Sequence, residues 1–136
     1  IWTEQLPDKL GETTQKIGEL LSFQKPVVKD VFSCARNGEF NMQIEKIQPE
    51  FIMLAGIETH ICVYQTASDL LGEKYQVEIV ADATSSRTQS NKKIGLEKIK
   101  HEGGCLTSVE TLLFEIQGTA TGEQFRELIK FIKKFN

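Results

Sequence analysis

No stretch of this chain stays apolar for long. The longest runs, such as residues 51–55, hold a handful of apolar residues, whereas a bilayer needs about 20. No membrane-spanning helix is therefore expected. Cysteine is equally sparse: Cys34, Cys62 and Cys105 are the only three, and no two form a CxxC pair. An odd, scattered set argues against a disulfide framework and for a reducing compartment, so a cytoplasmic location is expected. The two histidines, His60 and His101, stand at no ligand spacing from the cysteines, so no metal and no cofactor is expected. There is no basic run, and the formal net charge is -3. That leaves neither a nucleic-acid nor an anionic-membrane partner supported, since both need a basic surface. No repeat, low-complexity tract or Pro/Gly/Ser-rich linker divides the chain, so residues 1–136 read as one domain.

What is present suffices for a core: 40% of residues are hydrophobic and 26% charged, the balance of an ordinary folded domain. Pro7 and Gly11 mark a loop before a modest helical pattern carrying Ile17, Leu20 and Leu21, which Lys25-Pro26 breaks. Residues 27–32 form a short extended run, and Asn37-Gly38 signals a turn. Phe40, Ile44 and Ile47 then share a helical face. Residues 51–55 read as a strand covered on both faces. Val63, Ala67, Leu70 and Leu71 recur at helical spacing up to Gly72. Residues 76–81 are a second apolar strand, and polar residues 82–88 a loop. A helix is expected over 89–102, then a brief strand at 105–107. Thr107 and Glu110 have the spacing of a capping box for a helix burying Val109, Leu112, Leu113 and Ile116. Thr121 and Gln124 repeat the device before a last helix burying Phe125, Leu128, Ile129 and Ile132, with Lys133 and Lys134 in its final turn. Short apolar strands alternating with helices predict an α/β fold, a mainly parallel sheet flanked by helices in three layers. In such folds ligands bind at the carboxyl ends of the strands, where residues 56–62 lie.

That segment ends in Cys62, at the start of a helix. A thiol there meets unpaired backbone N–H groups and the positive end of the helix dipole, both of which favour the reactive thiolate. The same amides can hold an oxyanion. A buried structural cysteine fits the position as well.

Gly56-Ile57-Glu58-Thr59-His60-Ile61-Cys62-Val63, with Gln65-Thr66-Ala67 and Asp69-Leu70 after it, resembles the nucleophile segment of isochorismatase-like cysteine hydrolases. Residues 80–87, Thr3-Glu4-Gln5 and residues 28–33 resemble other segments of the superfamily in the same order, and the likeness is to its small single-domain branch. The resemblance implies that Cys62 attacks the carbonyl of a small amide or related C–N substrate to give a thioester that water cleaves. It implies that Lys29 stabilises the thiolate, and that the backbone N–H groups of Glu58 and Cys62 hold the oxyanion. A cis peptide is implied at Ile57–Glu58, and Phe32 and Ile57 are candidates to line the pocket. A homo-oligomer is expected on the same ground. The family's catalytic aspartate, carried on its first strand, has no counterpart here, because Asp8, Asp30, Asp69 and Asp82 all stand in the wrong context. That strand would precede Ile1, so the domain is expected to be incomplete at its N-terminus. A catalytically weak or inactive domain kept for interaction or assembly is the alternative.

Overall fold

The computed structural model describes residues 1–134. Every strand pair in it is parallel, as alternating strands and helices require. Strands β1 (Thr3–Gln5) and β2 (Val27–Lys29) form one pair, with Thr3 opposite Val27 and Gln5 opposite Lys29. Between them run two short helices, α1 (Pro7–Leu10) and α2 (Gln15–Leu20), neither of which buries a residue. Pro7 opens α1, where its missing N–H costs nothing. A second sheet takes β3 (Phe51–Ile57), β4 (Gln76–Ser85) and β5 (Cys105–Thr107) in that order. Among the described residues no strand pairing joins the two sheets.

The helices that build the core follow the predicted spacing. In α3 (Gly38–Ile47) Phe40 and Ile44 are buried, while Ile47 faces out. Asn37-Gly38 is a helix start and not a free turn, because the Asn37 side chain accepts from the Phe40 N–H at 3.0 Å. In α4 (Tyr64–Gly72) Ala67 and Leu70 are buried, as is Ile99 of α5 (Gln89–His101). With Val27, Ile52, Val63, Val77 and Ile79 these residues form one continuous core that spans both sheets.

Several expectations need correction. The run at 51–55 is not covered on both faces: Ile52 is buried, but Phe51 and Met53 alternate with it toward solvent. The polar stretch after Ala81 is strand as far as Ser85. Leu54 faces Ile79 but Gly56 faces Thr84, so β4 bulges and then resumes pairing with the end of β3. The helix α6 (Val109–Gln117) is capped by Ser108, whose hydroxyl accepts from the Thr111 N–H at 3.1 Å, and not by Thr107. It buries no residue fully, and Ile116 is exposed. The last helix, α7 (Gly122–Ile132), also buries none fully; its apolar face, including Phe125 and Leu128, is half-buried. Lys133 and Lys134 lie in the turn just beyond it.

Candidate active site

The carboxyl ends of β1, β2 and β3 converge on a cavity of about 110 Å³. Its lining includes Gln5, Lys29, Cys34, Ile57, Cys62 and Thr66. Thus Cys62, Lys29 and Ile57, three of the residues singled out from sequence, meet in one place. Phe32 does not join them as a side chain. It is exposed, and its contribution is its carbonyl, which accepts from Lys29 Nζ at 3.0 Å.

Lys29 is only 4% exposed, which is rare for lysine unless its donors are satisfied. Here they are. Nζ donates to Gln5 Oε1 at 2.5 Å, to the Val31 carbonyl at 3.0 Å and to the Phe32 carbonyl. An ammonium has three donors, so all are used, and none of the three acceptors carries charge. The β1–β2 register that sets Gln5 beside Lys29 supplies one of them. The bend after β2 supplies the other two.

Cys62 lies inside a π-helical turn, Thr59–Val63, that runs directly into α4. The sequence suggested a simple helix start; the wider winding is a feature often found at functional sites. Gly56 enters the turn with φ +117°, a conformation that disfavours other residues, and the Ile57–Glu58 peptide is cis. The turn is bound residue by residue to the end of β4 and the two residues after it. Thr59, fully buried, donates its hydroxyl to the Ser85 carbonyl at 3.0 Å. His60 Nδ1 lies 3.0 Å from Ser86 Oγ. Glu58 takes three bonds from Arg87: its backbone N–H at 2.9 Å, Nε at 3.1 Å and Nη2 at 2.7 Å. Those side-chain and backbone bonds from Arg87 pull the Glu58 carboxyl down to about 2. The side of the turn facing α5 is closed by Gly95, where an added Cβ would stand 2.8 Å from His60 Cα and 2.9 Å from the Thr59 carbonyl carbon.

Two further links tie the lysine side of the cavity to the helix that follows Cys62. The Cys34 N–H donates to Thr66 Oγ1 at 2.9 Å, and Arg36 Nε donates to Asp69 Oδ2 at 2.7 Å. The Arg36 guanidinium holds the Asp69 carboxyl below its usual range. The sequence alone gives no site role to Gln5, Cys34, Thr66, Arg87 or Gly95. A parallel pairing of residues 3–5 with 27–29 is the signal that would set Gln5 beside Lys29. Cys105 is exposed and outside the cavity lining, and none of the lining residues is an Asp, Glu or His.

Comparison with known proteins bears on this arrangement. The model of the isochorismatase domain matches residues 1–111. The chain is 36% identical over 138 residues to the secreted isochorismatase effector Isc1 of Phytophthora sojae, covering 97% of this chain and 65% of that protein. It is 34% identical over 134 residues to the isochorismatase domain-containing protein 2 of Bos taurus, covering 98% and 64%. The chain thus spans just under two thirds of the length of both. Among solved structures, the MAR1 ribonuclease of Caenorhabditis elegans superposes with a TM-score of 0.84 at 32% identity, covering 96% of this chain and 67% of that one. No helix among the described residues is long and apolar enough to cross a membrane.

Proposed function

The chain belongs to the isochorismatase family, and from that premise we propose that it is a cysteine hydrolase acting on a small amide or related C–N bond. The observation that carries this reading is the meeting of Cys62 and the buried Lys29 in one cavity at the carboxyl ends of parallel strands. The Cys62 thiolate attacks the carbonyl carbon, the C–N bond breaks as the leaving amine takes a proton, and water cleaves the resulting thioester. Lys29, with its three donors committed to Gln5, Val31 and Phe32, acts through fixed positive charge, which favours thiolate and developing oxyanion alike. The backbone N–H groups of Glu58 and Cys62 receive the oxyanion. No metal or cofactor takes part. Ile57, exposed at the rim, meets the substrate.

Iodoacetamide followed by mass spectrometry tests the nucleophile. Cys105 is exposed while Cys62 is partly buried, so exposure alone would modify Cys105 first. Preferential modification of Cys62 is the expected result; an inert Cys62 beside a modified Cys105 would sink the reading.

A second reading is a weak or inactive domain retained for interaction or assembly. It is favoured by the lack of any carboxylate in the cavity lining, since the family takes its proton acceptor from an aspartate. Selective alkylation of Cys62 without turnover of any amide in a broad panel would support it. A net charge of -3 with no basic run favours small substrates over RNA, and a labelled-RNA cleavage assay checks this against the ribonuclease relative. We further propose a homo-oligomer, tested by light scattering at micromolar concentration. The three free thiols favour a reducing compartment, here the cytoplasm, which fractionation of the source cells would examine.

A further inference from the structure

Three consecutive residues where β4 ends, Ser85 and the two that follow it, Ser86 and Arg87, bind three consecutive residues of the nucleophile turn, Thr59, His60 and Glu58. The chemistry proposed above uses none of these side chains. The Glu58 carboxylate lies next to the backbone that must present the oxyanion-binding N–H, and both of its oxygens are taken by Arg87. An exposed ion pair of this kind ordinarily does little for stability, and the Arg87 side chain is 70% exposed. Its geometry is nonetheless that of a fixed fork, two guanidinium bonds plus the backbone N–H of the same residue. On the α5 side, Gly95 brings that helix so close that the turn cannot shift toward it. A grip on one flank and a backstop on the other define one position for the turn.

We propose that Arg87 is a positioning residue of the active site, holding Glu58 so that its backbone N–H meets the oxyanion formed when Cys62 attacks a carbonyl. The inference rests on the hydrolase reading above and adds to it how the oxyanion site is kept in place. It separates two reactions of the same thiol. Acylation by p-nitrophenyl acetate joins Cys62 Sγ to the acetyl carbon, moves the carbonyl pair onto oxygen, and expels p-nitrophenolate as the thioester forms. Alkylation by iodoacetamide displaces iodide at a saturated carbon and forms no oxyanion. A displaced Glu58 N–H therefore slows the first and spares the second.

The experiment measures both rates at Cys62 by mass spectrometry in wild type, Arg87→Ala and Arg87→Lys. Arg87→Ala is expected to slow acylation roughly tenfold to a hundredfold, less than the roughly hundredfold to thousandfold that outright loss of an oxyanion donor costs, because the N–H is displaced and not removed, while alkylation stays within about twofold. Arg87→Lys keeps the charge but not the fork and should lie nearer Arg87→Ala than wild type. Should Arg87→Ala fail to fold, Arg87→Lys decides by the same ratio. Selective wild-type acylation that neither variant changes overturns the inference alone, as does a parallel fall in both rates. A wild type in which Cys62 is acylated no faster than Cys105 overturns the hydrolase reading and this inference with it.

Discussion

The two sides of the cavity are built differently. On the Cys62 side, a three-stranded parallel sheet, a continuous helical run and α5 enclose the turn that carries the thiol. Thr59 beneath it and Ile99 behind it are wholly buried. On the lysine side stands a two-stranded pair whose intervening helices bury nothing. Leu10, Leu20 and Phe23 there are each more than two thirds exposed, at 71%, 78% and 80%. Lys29 is nonetheless buried, within the range of the core residues. This site therefore draws its rigidity from one side. The Lys29 ammonium is held by a local cage of three acceptors, and that cage is moored to the Cys62 side by the Cys34–Thr66 and Arg36–Asp69 bonds and by the shared core.

If that contrast is right, the largest effect on stability comes from the enclosed side. Ile99→Ala should cost about 2–5 kcal/mol, read as a lower urea midpoint, because Ile99 is fully buried and packs on Gly104. A loss below 1 kcal/mol would mean that this side is no better packed than the other. Lys29→Ala should cost less, about 1–3 kcal/mol, because the cavity it lines lets water reach part of the three acceptors that lose their donor, Gln5 Oε1 and two carbonyls. It should also slow Cys62 alkylation more than Cys105 alkylation, and equal slowing would remove Lys29 from the site. A smaller effect is expected from acid. The Glu58 carboxyl is lowered from 4.5 to about 2, so the stability it contributes is complete above about 4.5 and lost as pH falls through about 2. Arg87→Ala should flatten that part of the stability–pH curve, and an unchanged curve would count against the ion pair. Least of all, Leu20→Ser on the open side should move the urea midpoint by no more than about 0.5 kcal/mol equivalent. A larger loss would show that α2 is covered in solution.

Much of the fold was legible because it rests on periodicity. Spacing located α3 and α4, and short apolar runs the strands at 76–81 and 105–107, since burying one stripe or one face imposes a pattern on the residues themselves. The motif around Cys62 was legible for the same kind of reason: a glycine able to enter a tight turn, then a thiol at a helix start. Where local composition and tertiary pairing conflict, local reading failed. Residues 82–85 look like loop, yet Thr84 and Ser85 pair with Gly56 and Ile57, a bond pattern set by a strand more than 25 residues away. Val109, Leu112 and Ile116 have the spacing of a buried stripe, but α6 lies where it covers only part of it.

Residues close together in the chain were enough for most element types, the parallel α/β architecture, the family and the cysteine candidate, because each is carried by local patterns and short motifs. Tertiary structure alone decided that Lys29 would be caged by Gln5, that Cys34 would share its cavity with Cys62, and that Arg87 and Gly95 would bracket the turn. Those contacts join residues 24 to 36 positions apart through strand register and helix packing. Such geometry belongs to the assembled sheet and helices, and no local pattern of side chains encodes it.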